Sequence, residues 1–174
     1  MHKRSDLHGY QLRAARHVLK HRKCALWIDM GLGKTVSTLT ALLKIQQDGL
    51  LRFPALVIAP KRVAEHVWPN EVRNWEHLSG MEVQVIDGSP EERRWQLNRG
   101  GFDIHAISRD KLNWLVHTIG PEQWPYEVVV IDEASGFKDS KTMRFRAISK
   151  VSDKIKRLIQ LSGTPAPNLS LIHI

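Results

Sequence analysis

The chain has 174 residues, 42% of them hydrophobic and 25% charged, with a formal net charge of +8; that is an ordinary globular balance, enough for one domain to bury a core without staples. A single cysteine, Cys24, excludes an internal disulfide, no apolar run nears the roughly 18 residues of a membrane span, and the polar opening MHKRSDLHGY carries no apolar core of signal-peptide length. The expectation is a soluble intracellular protein of a reducing compartment, whose positive balance fits an anionic partner such as nucleic acid or, equally from charge alone, a solvated basic face.

Helices and apolar strands alternate along the chain, without repeats or linkers. Tyr10 to Lys23 reads as a helix with Leu12, Ala15, Val18 and Leu19 on one side. Cys24 to Ile28 is a short strand. Lys34 to Gln47 is a helix turning Val36, Leu39, Leu42 and Leu43 inward, with Gly49 past its end. Ala55 to Ala59 is a buried strand closed by Pro60. Val63 to Trp75 is helical, with Pro69 a candidate break, because proline suits a first turn better than an interior. Glu82 to Ile86 alternates like a strand, and Pro90 to Asn98 is a charged helix. Asp103 to Ser108 is a strand, followed by a helix through Ile119. Glu127 to Asp132 is the most apolar strand, Thr142 to Val151 a helix and Arg157 to Leu161 a last strand.

Strands that are apolar throughout and alternate with helices imply a parallel sheet covered on both faces. The expected architecture is therefore α/β, three layers in the order α/β/α, with a mainly parallel central sheet. In such sheets ligands bind beyond the carboxyl ends of the strands. Gly31 to Thr35, Pro60 to Arg62, Ser108, Asp132 to Ser135 and Ser162 to Thr164 all fall there.

MGLGKT follows a strand and opens a helix, the context in which a glycine-rich loop cradles phosphate. Gly31 and Gly33 let backbone N–H groups curl inward, Lys34 supplies an ammonium to the β- and γ-phosphates, and Thr35 offers a hydroxyl to magnesium. The strict pattern is not met, because Ile28 stands where its first glycine belongs; the plainer reading is a turn with a helix cap at Thr35. VVVIDEAS ends a strand in two carboxylates. Asp132 would hold magnesium beside Thr35, and Glu133 would polarise the attacking water; the plainer reading is a solvated acidic turn.

Five segments in order resemble the Swi/Snf-like branch of superfamily 2 helicases and translocases, over about residues 7 to 168. LHGYQLRAARHVL resembles the Q-motif helix, which implies that Gln11 reads the adenine edge. DMGLGKT resembles motif I, which in this branch lacks the earlier glycine; it implies ATP held by Gly31, Leu32, Gly33, Lys34, Thr35 and Val36. VIAPKRVAEHVWPNEVRNW resembles motif Ia and implies nucleic-acid backbone contact at Pro60, Lys61 and Arg62. VVVIDEAS resembles motif II, with Ser135 where the branch usually has histidine. LSGTPAPN resembles motif III, which implies coupling through Ser162, Gly163 and Thr164, with Ser135 on the motif II side.

The resemblance implies a RecA-like lobe over residues 1–168, with Mg²⁺ and ATP as cofactors. It implies a monomer acting on DNA, in duplex form, in a bacterial or phage-infected cell. Residues 169–174 read as a tail that lacks the family's continuation. The family's second lobe, with motifs IV to VI, is not in this sequence, so the expectation is ATP binding with slow hydrolysis by the lobe alone. Two other readings stay open: a non-catalytic nucleotide- or DNA-binding module acting through a partner, and a P-loop ATPase that works on protein.

Other features point elsewhere. The nine histidines show no zinc spacing. His105 reads as a packed side chain, and Cys24 as a small buried one. Trp68 and Trp75, on one helical face, read as core, and Trp95, Trp114 and Trp124 have no pattern. Lys138, Lys141, Arg144 and Arg146 form either a phosphate-contacting segment or an exposed basic loop.

Overall fold

The computed structural model describes residues 1–134 and 143–163. Among these residues six α-helices and six strands alternate: α1 (Gly9–Lys20), β1 (Lys23–Trp27), α2 (Lys34–Gln47), β2 (Ala55–Ala59), α3 (Trp68–Asn74), β3 (Val83–Ile86), α4 (Pro90–Asn98), β4 (Ile104–Ser108), α5 (Leu112–Ile119), β5 (Val128–Ile131), α6 (Met143–Ser149) and β6 (Arg157–Ser162). A π-turn, Val63–Val67, leads directly into α3. Pro69 does not break this helix; it sits in the first turn of α3, directly after the π-turn.

The strands form one sheet in the order β1-β6-β5-β2-β4-β3, and every pairing is parallel. The pleat sorts its side chains into two cores. Ala55, Val57, Ala59, Val128 and Val130 pack with Val18 of α1, Leu39 and Leu42 of α2, and Trp68 of α3. Leu56, Ile58, Val129 and Ile131 pack on the other face with Leu115 of α5 and Ile148 of α6. Both faces are thus apolar, which is why the strands read as unbroken hydrophobic runs instead of alternating ones. Among the described residues no helix is long and apolar enough to cross a membrane.

Two charged anchors fix the amino ends of the strands. Arg157, opening β6, donates from Nη1 to Val18 O (2.5 Å) and His21 O (2.9 Å), capping the carbonyl end of α1. Glu127, just before β5, accepts from Arg52 N (2.9 Å) and pairs with Lys156 Nζ (2.7 Å). Because all strands point the same way, Ile28, Gly163, Asp132, Pro60, Arg109 and Asp87 follow their ends along the opposite edge.

Candidate nucleotide and strand-binding edge

The loop between β1 and α2 takes its shape from two glycines. Gly31 and Gly33 have φ of +80° and +78°, a left-handed conformation that L side chains rarely adopt. Gly33 is also crowded: a Cβ there would lie 2.1 Å from Gln11 Nε2. Gly33 is the N-cap of α2, and Ser37 N donates back to its carbonyl (3.1 Å). Helix geometry leaves the N–H groups of Lys34, Thr35 and Val36 without intrahelical acceptors, at the positive end of the helix. The Val36 side chain is buried, so only its amide faces the loop's task. Lys34 Nζ folds back across the loop and donates to Ile28 O (2.6 Å) and Asp29 O (3.0 Å). A cradle of open N–H groups with an ammonium inside it fits a polyphosphate.

Gln11 sits beneath this loop. Its Oε1 accepts from His8 N (2.8 Å), and its Nε2 donates to Leu32 O (3.3 Å). The amide read as an adenine contact therefore also braces the loop. A cleft of about 620 Å³, lined in part by Tyr10, Trp27 and Leu32, opens beside it.

Two strand ends complete this half of the edge. Asp132 N donates to Ile58 O (2.8 Å), extending the ladder one residue past β5. Its carboxylate is buried: Oδ2 accepts from Trp68 Nε1 (3.0 Å) and Oδ1 from Glu133 N (3.0 Å). Burial raises its pKa above the usual carboxylate value, against the bonds from Trp68 and Glu133 N and the positive charge of Lys34 across the crevice. Glu133 is exposed and has φ of +52°, a strained conformation for a non-glycine residue, so the chain turns sharply at that acid. Between the loop and Asp132 lies the end of β6. Ile28 N donates to Ser162 O (3.2 Å), and a Cβ on Gly163 would lie 3.2 Å from Met30 Cγ and 4.0 Å from Lys34 Nζ. Ser135 and Thr164, also read as coupling residues, lie outside the described residues.

The other half of the edge is basic. Pro60 O accepts from Val63 N (2.9 Å) and Ala64 N (3.0 Å), which presents exposed Lys61 and Arg62 at the start of the π-turn. Lys61 makes a loose contact with Glu65 (3.7 Å). Lys111, just after the neighbouring strand β4, pairs with Asp87 at the end of β3. Burial, followed by the positive charge of Lys61, lowers the pKa of Lys111. Arg144 is drawn off to Asp110 (2.5 Å), and Lys138 and Lys141 lie outside the described residues.

Sequence reasoning missed two contributors here. Helical spacing marks Trp68 as core, yet its indole N–H also donates to Asp132. Lys111 forms no motif, and its only signal was its place directly after a strand. A separate cavity of about 750 Å³ lies around the amino ends of β2, β4 and β5, near Phe53, His105 and Tyr126, away from the loop.

Comparison with known proteins gives a consistent picture. The sequence profile of the SNF2-related domain matches residues 8–174. Protein p41 of Acyrthosiphon pisum secondary endosymbiont phage 1 is 37% identical over 91% of this chain, which spans 35% of the phage protein. Chromodomain-helicase-DNA-binding protein 7 of Homo sapiens is 31% identical over 97% of this chain, which spans 6% of it. The Sulfolobus solfataricus SWI2/SNF2 ATPase core, solved in complex with dsDNA, superposes with a TM-score of 0.77 at 25% identity, over 95% of this chain and 33% of that one.

Proposed function

The chain belongs to the SNF2-related domain family, and from that premise we propose that it is the ATP-binding lobe of an ATP-dependent DNA helicase or translocase, coupling Mg-ATP hydrolysis to movement along the strand. The observation that carries this reading is the convergence at Lys34. The carbonyls of the loop after β1 hold its ammonium, Gly163 after β6 comes up beside it, and Asp132 after β5, on the next strand of the sheet, lies within reach of its positive charge.

In this reading Lys34 exchanges the carbonyls of Ile28 and Asp29 for the β- and γ-phosphates. The phosphates are also cradled by the backbone of Gly31, Leu32 and Gly33 and the first N–H groups of α2. The Thr35 hydroxyl and Asp132 hold magnesium, whose charge offsets that of the phosphates. Glu133 orients the attacking water. The spare N–H of Gln11 is available to the adenine edge. Ser162 and Gly163, packed against the loop, relay its state, together with Ser135 and Thr164. Lys61 and Arg62 grip strand phosphates, so binding is independent of base sequence.

The proposal is tested by measuring ATP hydrolysis with and without duplex DNA, on this chain and on one carrying the further lobe that the family resemblance implies. DNA-stimulated turnover supports a motor. ATP binding without any stimulated turnover in either form would leave a nucleotide-binding module.

A further inference from the structure

Trp68 is fully buried, and its indole Nε1 is spent on one acceptor, Asp132 Oδ2 at 3.0 Å. Its backbone N–H reaches Val63 O, five residues back, which is the π-type bond that closes the turn before α3. Such a turn holds one residue more than an α-turn, so the faces of the following helix are rotated by about 100°. That rotation places residue 68 on the inward face. The same turn begins directly after Lys61 and Arg62. One short helical segment therefore carries the exposed cations Lys61 and Arg62 at its start and the donor to a buried acid at its end. With the other Asp132 oxygen fixed by Glu133 N, the carboxylate has no freedom to rotate, and its remaining lone pairs point in a set direction.

We propose that Trp68 is a positioning residue for magnesium: its indole N–H fixes the direction in which Asp132 presents its free lone pairs, and the π-turn ties that direction to the Lys61–Arg62 strand grip. This rests on the nucleotide-site reading above. A donor behind a metal-ligating carboxylate acts on metal affinity, not on phosphate contact. A packing role would instead act on stability alone.

The test replaces the indole with the isosteric benzothiophene (β-(3-benzothienyl)alanine at position 68), which keeps the shape and removes the N–H; W68F is the simpler companion. ATP affinity is measured by calorimetry with Mg²⁺ and in EDTA, and the melting temperature is recorded. Expected for the isostere are unchanged affinity in EDTA, a melting temperature within a few degrees, and a roughly tenfold loss of the strengthening that Mg²⁺ confers. A second expected result is that duplex DNA no longer shifts Mg-ATP affinity. Full Mg²⁺ strengthening in the isostere overturns the proposal, whatever W68F does. If the unsubstituted chain binds no ATP under either condition, the nucleotide-site reading itself fails.

Discussion

The ammonium of Lys34 lies 2.6 Å from the carbonyl oxygen of Ile28, the residue that stands where the strict phosphate-loop pattern has its first glycine. The loop closes on its own lysine through that carbonyl, which any residue type supplies. Lys34→Ala removes both the anion-binding charge and this internal tie. The expected outcome is loss of measurable Mg-ATP binding by calorimetry, with stability lowered by only about 1 kcal/mol, because the tie is partly exposed. Undiminished ATP affinity in that variant would remove the loop from the site.

Gly31 and Gly33 share a backbone conformation but not their surroundings. A Cβ at Gly31 would meet nothing within 4 Å, whereas one at Gly33 would strike Gln11 Nε2. Gly31→Ala should cost the backbone strain alone, about 1–2 kcal/mol. Gly33→Ala should cost that plus the Gln11–Leu32 hydrogen bond, about 1 kcal/mol more. In a double-mutant cycle with Gln11→Ala, the extra cost at position 33 should shrink to what the tight approach to Val36 Cγ1 (3.2 Å) leaves, as read by denaturant unfolding.

Lys61→Glu and Arg62→Glu should each weaken DNA binding evenly across sequences. Each should also lower the slope of log affinity against log salt by about 1. Nucleotide affinity in the absence of DNA should be unchanged. Unaltered salt slopes would move the strand contact away from the segment after β2.

Acid should destabilise the fold in two steps. Burial pushes the His105 imidazole down to about 4 from its usual 6.5, where its Nδ1 bonds the Tyr126 hydroxyl (2.8 Å). The unfolded chain takes up that proton first, so stability falls as pH drops from about 6.5 towards 4. For Glu127, burial acts upward, but hydrogen bonds from Lys156 and Arg52 outweigh it and hold the carboxyl at about 2, against 4.5 when free. Its contribution is complete above about 4.5 and is lost as pH falls towards 2. His105→Gln should flatten the first part of a stability–pH curve, and Glu127→Gln the second. At neutral pH Glu127→Gln should cost about 1–3 kcal/mol.

Much of this was legible from residue order. Unbroken apolar strands predicted the parallel sheet, and that sheet brings the segments singled out after β1, β2 and β5 to one edge. Strand ends shifted by a residue, as at Trp27 and Ser162, because pairing between neighbours, not composition, decides where a ladder stops. Trp68 was legible as core but not as a hydrogen-bond donor. Its direction depends on a π-turn, and the run VAEHVW carries no mark that separates a π-turn from an α-turn. Lys111 was hidden for another reason: a single cation acquires meaning only when the sheet order sets β4 beside β2. Gln11 was readable as a family residue, but its brace under Leu32 required coordinates.

Among the described strands β1, at the sheet margin, hydrogen-bonds only to β6, the last to be made. During synthesis the segment bearing Lys34 leaves the ribosome early, yet it has no partner strand until residues 157 to 162 emerge and insert between β1 and β5. The nascent chain therefore cannot complete the proposed nucleotide site before its sheet is closed. Any fraying of that final insertion would release the loop and leave the basic half of the edge standing.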